Sequence, residues 1–264
     1  MTLTAGVDMG STATKAVVLR DGRIAGSDAR ETGADPERAG ELALRAALGQ
    51  AGTDLDALER VVSTGYGRRA LALADEAINE INANARGAAW LGSSQGRVRT
   101  IIDIGGQDSK VIALDAEGVI SDFQMNDKCA AGTGKFLEVI ASLLEVGVED
   151  LGALSARATQ PVTIASTCVV FAQSEVVGLI AKKRAREDIV AGIHRAIASR
   201  VVTMARRVGV EPVVVFDGGP AKNEGLRAAL EAELGLPVFV PARPQLVVAL
   251  GAALVAADMQ GGEG

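Results

Sequence analysis

Positive charge, cysteine, histidine and long apolar runs are all scarce in this chain. Its 264 residues hold 27 Lys and Arg against 33 Asp and Glu, a net charge of −6, which argues against a nucleic-acid surface. The basic run Lys182-Lys183-Arg184-Ala185-Arg186 reads as a solvated helix face or a protein-docking patch. No apolar stretch has the uninterrupted length of a membrane-crossing helix. Met1-Thr2-Leu3-Thr4-Ala5-Gly6 offers neither the charged start nor the apolar core of a secretory signal. A cytoplasmic protein that binds neither membrane nor nucleic acid is expected. Two cysteines, Cys129 and Cys168, do not make a disulfide framework, so reduced thiols or metal ligands are expected. The single histidine, His194, falls in a helical pattern and reads as a packing or surface residue.

The chain that remains is long enough for two modest domains, and strands alternate with helices along it, the α/β pattern. Helical spacing covers Pro36 to Ala51, Ala70 to Leu91, a segment from Lys135 through Leu144, Glu149 to Arg157, Ser174 to Lys183, Ile189 to Val208, Asn223 to Leu234 and Leu246 to Ala257. Strands are expected at Val61 to Thr64, Pro161 to Ala165, Pro212 to Phe216 and Val238 to Val240.

One stretch occurs twice. Asp8, Gly10, Lys15, Leu19, Gly22 and Ile24 recur with near-identical spacing as Asp103, Gly105, Lys110, Leu114, Gly118 and Ile120. Each copy reads as strand, glycine turn, strand, hairpin turn, strand. A duplicated unit suggests two similar domains facing each other across a cleft.

The duplicated turns suit phosphate and metal. In the first, the backbone N–H groups of Gly10, Ser11, Thr12, Ala13 and Thr14, three hydroxyls and the Lys15 ammonium can cradle phosphate oxygens. The GxxxxGK[ST] spacing of a Walker A loop is absent. Asp8 and Asp103 are hard oxygen ligands for a hydrated Mg²⁺. Gln107 and Asp108 are placed to orient a water for attack on a terminal phosphate. Asp217-Gly218-Gly219 follows an apolar strand, where a nucleoside can lie against backbone. Asn126-Asp127-Lys128-Cys129-Ala130-Ala131-Gly132-Thr133-Gly134 runs into an apolar helix, and such a helix start attracts anions and favours a thiolate. Cys168 sits in a similar setting, Ser166-Thr167-Cys168 before Val169-Val170-Phe171-Ala172.

The Asp8-Met9-Gly10-Ser11-Thr12, Asp103-Ile104-Gly105-Gly106-Gln107-Asp108 and Asp217-Gly218-Gly219 set resembles the phosphate and adenosine motifs of the acetate kinase, sugar kinase, heat-shock chaperone and actin superfamily. The two cysteine motifs, Phe123 to Gly134 and Ser166 to Glu175, are more specific. They resemble the BadF/BadG/BcrA/BcrD-type ATPases: activators of 2-hydroxyacyl-CoA dehydratases and ATP-binding subunits of benzoyl-CoA reductases. The likeness runs from Gly6 to Ala256.

That resemblance implies duplicated actin-like, ribonuclease H-like ATPase domains around a nucleotide cleft. It divides the chain into 1–95, with the C-terminal helix packing back on it, and 96–264, carrying both cysteines. It implies ATP or ADP with Mg²⁺, held by Ser11, Thr12, Thr14 and Lys15 with Gly105, Gly106, Gly132 and Gly134 near phosphate. Glu138 would meet the ribose, and Gly218, Gly219 and Gln245 would line the nucleoside pocket. It also implies one [4Fe–4S] cluster ligated by Cys129 and Cys168 of this chain and of a second copy or similar subunit; two thiols per chain fit a shared cubane. The partners implied are an iron–sulfur dehydratase or reductase holding the acyl-CoA, and ferredoxin or flavodoxin as electron donor. The Asp-Gly-Gly-Pro form at 217–220 leans toward a reductase-type subunit. Asn84 stands where a His is common. A small-molecule kinase of the same fold, or a non-catalytic ATP-binding protein, is the alternative.

Overall fold

The computed structural model describes residues 2–165 and 168–261. Ser166 and Thr167 of the second cysteine motif lie outside the described residues. The strands in chain order are β1 (Leu3–Met9), β2 (Ala13–Arg20), β3 (Arg23–Glu31), β4 (Arg60–Thr64) and β5 (Glu76–Ala77), then β6 (Thr100–Ile104), β7 (Ser109–Leu114), β8 (Ile120–Asn126), β9 (Val214–Asp217) and β10 (Val238–Phe239). The helices are α1 (Pro36–Ala51), α2 (Glu80–Gly92), α3 (Gly134–Leu144), α4 (Leu151–Ala156), α5 (Val169–Ala181), α6 (Arg186–Val208), α7 (Glu224–Leu234) and α8 (Val247–Gly261).

Two compact units result, one from the described residues of 1–96 and 245–264, the other from 97–244. Each holds one five-stranded sheet, ordered β3-β2-β1-β4-β5 in the first and β8-β7-β6-β9-β10 in the second. The repeat read from the sequence is thus a repeat of topology. β1 pairs antiparallel with β2 and parallel with β4. β6 pairs antiparallel with β7 and parallel with β9. The register sets Asp8 opposite Lys15 and Asp103 opposite Lys110.

In the first unit α1 is framed by its sequence. The Asp35 carboxylate accepts the Arg38 N–H at 3.0 Å, Pro36 opens the helix, and Gly52 closes it at φ 66°. Ala43, Leu44, Ala47 and Leu48 are buried beneath it against β1, β2 and β3. The other face of the sheet is covered by α8, whose Ala249, Ala252 and Ala253 are wholly buried. A Cβ at Gly6 would collide with the Ala249 carbonyl, so glycine there lets helix and strand meet. In the second unit α3, α4, α6 and α7 enclose one core around Phe136, Ile140, Ile193, Val201 and Phe216.

Three expected elements differ. The helix expected from Ala70 begins only at Glu80, because Asn79 caps it by accepting the Ile81 N–H at 2.9 Å; turns and β5 precede it. The strand expected at Pro161 to Ala165 is irregular chain, two of its N–H groups held by helices instead. Val162 N–H donates to the Asp188 carbonyl at 3.1 Å, and Ala165 N–H to Glu175 Oε1 at 3.1 Å. α5 starts five residues earlier than the spacing suggested, with Cys168 at its N-cap.

Candidate nucleotide and cysteine sites

The first phosphate turn lies at the end of β1. Asp8 is buried, and Lys15 reaches across the hairpin to its Oδ2 at 2.8 Å. Its Oδ1 is buried with no hydrogen-bond partner among the described residues. Gly65, just past β4 and at φ 88°, makes room for that oxygen; a Cβ there would lie 2.7 Å from it. Ser11 and Thr12 are exposed. Thr14 is wholly buried: Thr32 Oγ1 donates to the Gly10 carbonyl at 2.7 Å, so the Thr14 hydroxyl donates to Thr32 at 2.9 Å. In this arrangement Thr14 braces the turn, and Ser11 and Thr12 present hydroxyls outward.

The second turn is built alike but charged differently. Lys110 is 1% exposed and lies 3.2 Å from Asp103 Oδ2 and 3.0 Å from Asp108 Oδ2. Asp108 stands where the first copy has Ala13. The second turn therefore buries two carboxylates with one ammonium, whereas the first buries only the Asp8 carboxylate, its Lys15 partner being part-exposed. Neighbouring buried carboxylates with hard oxygens suit a divalent cation, and the open Asp8 Oδ1 suits a cation's water. Gln107 is exposed beside this turn. Lys110 itself was legible only through the repeat, as the counterpart of Lys15.

The cysteine turn is fastened to that second phosphate turn. Gly134 N–H donates to the Gly105 carbonyl at 2.9 Å and Lys135 N–H to the Gly106 carbonyl at 2.8 Å. Two donors at the start of α3 are therefore already engaged by backbone. Asn126 at the end of β8 donates to the carbonyls of Cys129 at 2.8 Å and Ala131 at 3.3 Å, and Thr133 Oγ1 donates to that of Ala130 at 2.7 Å. Gly132 is buried at φ 93°. Glu138 pairs with Lys135 at 2.9 Å, and this hydrogen-bonded carboxylate raises the Lys135 pKa.

Cys129 and Cys168 are half-buried free thiols. α3, which follows the first, packs against α5, which the second caps. Val170 and Phe171, next to Cys168, are 63% and 68% exposed, and Phe123 on β8 is 45% exposed. Half-buried soft donors, one on the hydrogen-bonded Cys129 turn and one at the start of α5 beside exposed Val170 and Phe171, fit thiolate ligation of a cluster.

At the third turn Gly218 has φ 86°, and a Cβ would strike the Ile104 carbonyl and approach Asp103 Oδ1 to 2.8 Å. Glycine is required where the ends of β6 and β9 run side by side. Gly219 is exposed, with nothing near its missing side chain. Gly218 N–H donates to the Pro244 carbonyl at 3.1 Å, and the next residue, Gln245, holds its Oε1 buried without a partner among the described residues.

His194 is 1% exposed, and burial pushes its pKa down to about 4. It borders a cavity of about 700 Å³ whose wall includes Ser155, Thr163, Arg195, Ser199 and Gly225. The unfolded chain takes up this proton near pH 6.5, whereas the folded chain refuses it until about pH 4. Stability should therefore fall as pH drops through that window, by up to ~3 kcal/mol. Urea midpoints of the His194→Gln variant should vary less between pH 6.5 and pH 4; an unchanged profile would mean the imidazole protonates in the folded state.

The chain as a whole has known relatives. A 2-hydroxyisocaproyl-CoA dehydratase activator from Clostridioides difficile is 44% identical over 97% of this chain and 95% of its own length. A structure of that activator with bound ADPNP superposes at TM-score 0.93, over 99% of this chain and 96% of the other. The (R)-2-hydroxyglutaryl-CoA dehydratase activating ATPase of Acidaminococcus fermentans is 44% identical over 96% of each chain. A benzoyl-CoA reductase subunit from Thauera aromatica is 32% identical over 89% of this chain and 84% of its own. The family model of the BadF/BadG/BcrA/BcrD ATPases matches residues 5–256. With its duplicated α/β units and both cysteine turns inside that match, the chain belongs to the BadF/BadG/BcrA/BcrD ATPase family.

Proposed function

We propose that this chain couples ATP hydrolysis to delivery of a low-potential electron to a partner enzyme that holds a CoA ester. The observation that carries the reading is the pair of backbone hydrogen bonds from Gly134 and Lys135 to Gly105 and Gly106. A change in the phosphate turn reaches the Cys129 turn through two bonds, with no intervening side chain.

In this reading Ser11, Thr12, Lys15 and the N–H groups from Gly10 to Ala13 take the phosphates. Asp8 and Asp103 hold a hydrated Mg²⁺, and Gln107 with Asp108 orients the attacking water. Gly218, Gly219, Gln245 and Glu138 receive the nucleoside. Cys129 and Cys168 hold a [4Fe–4S] cluster together with a second copy's pair. When bound, that group supplies one-electron storage whose potential follows its exposure. Hydrolysis alters the angle between α3 and α5, a hinge motion, and so the setting of both thiolates. The higher identity to the two dehydratase activators than to the reductase subunit supports a dehydratase as partner. Ferredoxin or flavodoxin is the electron donor, in the cytoplasm; among the described residues no helix is long and apolar enough to cross a membrane.

The test is iron, acid-labile sulfide, native mass and ATP hydrolysis on anaerobically purified protein. About four iron per two chains is expected, with doubled mass and bleaching in air. An iron-free monomer that phosphorylates a sugar or carboxylate would overturn the reading in favour of a kinase.

A further inference from the structure

α6 touches two of these turns at once. His194 Nε2 lies 3.0 Å from Asn223 Nδ2. Asn223 Oδ1 already accepts the Leu226 N–H at 3.1 Å, capping α7, so its amide nitrogen is the end that faces the imidazole. Nε2 is then the acceptor, and the ring proton sits on Nδ1. Asn223 N–H in turn donates to the Pro220 carbonyl at 3.0 Å, closing the turn that begins at Gly218. Gly225 keeps the contact close, since a Cβ there would lie 2.9 Å from His194 Nδ1.

Six residues along the same helix, ~9 Å by helical rise, Arg200 lays its stem on Gly132. A Cβ at Gly132 would meet Arg200 Cδ at 3.3 Å. Gly132 stands three residues after Cys129. Between these two contacts Ile197 and Ala198 are buried in the core, as are Ile193 just before and Val201 just beyond, so this part of the helix is held by close packing along its length.

We propose that α6 is a strut between the nucleoside turn and the cysteine turn, with His194 and Arg200 as its positioning residues. Nucleotide seated at Gly218 and Gly219 sets Asn223, Asn223 sets His194, and the helix carries the shift to the stem of Arg200 on Gly132. This rests on the nucleotide and cysteine roles proposed above. It is a separate route from the Gly105 and Gly106 bonds, which serve the phosphates.

Reactivity of Cys129 tests it. In the full chain freed of iron and carrying Cys168→Ser, Cys129 is the sole thiol, and its alkylation rate is measured with and without saturating ADPNP. Nucleotide should change the rate by about fivefold or more, the range of ordinary site coupling. Arg200→Ala should abolish most of that response while ADPNP affinity stays within a factor of about two, and Arg200→Met, which keeps the stem, should restore much of it. His194→Leu should weaken ADPNP by about tenfold, the worth of one buried hydrogen bond, and blunt the response; His194→Gln, which retains an acceptor, should recover both. Should either truncation fail to fold, the matched conservative variant and the other end of the helix decide. A full response in the Arg200 and His194 variants overturns the strut and leaves the nucleotide–cysteine coupling standing. A wild-type chain that binds ADPNP with no change in Cys129 reactivity overturns both.

Discussion

Cys129→Ser protein purified anaerobically should be colourless, its iron reduced from about four per two chains to a small fraction. ADPNP affinity should stay within a factor of about two, less than the worth of one hydrogen bond. The size of the first effect follows from the symmetry of the proposed dimer: with a cluster shared between two copies, one substitution would remove two of the four thiolates. The smallness of the second follows from the wall of the turn. Asn126 and Thr133 hold it through the carbonyls of Cys129, Ala130 and Ala131, and the Cys129 side chain takes no part in those bonds. Serine leaves these bonds in place while offering a ligand iron binds poorly. Iron, sulfide and the visible spectrum are measured beside ADPNP titration. Full iron content in the variant would remove Cys129 from the ligand set.

Asp103→Asn should lower ATP turnover by about 100-fold or more, the usual cost of losing one group aimed at developing charge, with nucleotide affinity changed only a few-fold. Asp103 and Asp108 share the buried Lys110 ammonium. With Asp103 neutralised, the turn offers one fewer charged hard oxygen donor to a cation. The proposed phosphate cradle of the first unit is untouched, so binding should survive. Turnover and Kd for ADPNP are compared at matched Mg²⁺, and unchanged turnover would take Asp103 out of the reaction.

Much of this was legible in the sequence because the repeat holds its spacing from the acid through the lysine to the leucine. Asp8 with Lys15 and Asp103 with Lys110 announced two hairpins whose strands then paired in that register. Helix ends were legible where a capping residue marked them, as at Asp35 and Asn223. The false helical start at Ala70 came from apolar spacing that Asn79 cuts off by capping. The irregular chain at Pro161 to Ala165 had strand composition, but Asp188 draws its neighbours onto α6: its carboxylate accepts the Thr159 and Gln160 N–H groups at 2.9 and 2.7 Å. Thr14 matched a phosphate hydroxyl by position, and only its partner Thr32, 18 residues away, reveals where the hydroxyl points. Arg200 over Gly132 and His194 on Asn223 join residues 68 and 29 positions apart; no local pattern encodes such pairings.

The last helix has a consequence for synthesis. α8 covers one face of the sheet whose strands β1 to β4 leave the ribosome well before it. The second unit is continuous from 97 to 244 and has all its residues before α8 exists. The N-terminal sheet must therefore wait, one apolar face bare, while its twin is made and folded. Both turns can form early, but the first rests on a sheet that only α8 completes. Nascent chains cut short before α8 would carry a finished cysteine-bearing half and an unfinished one, and it is the unfinished half, with its bare Val17, Leu19 and Val62, that chaperones and proteases would find.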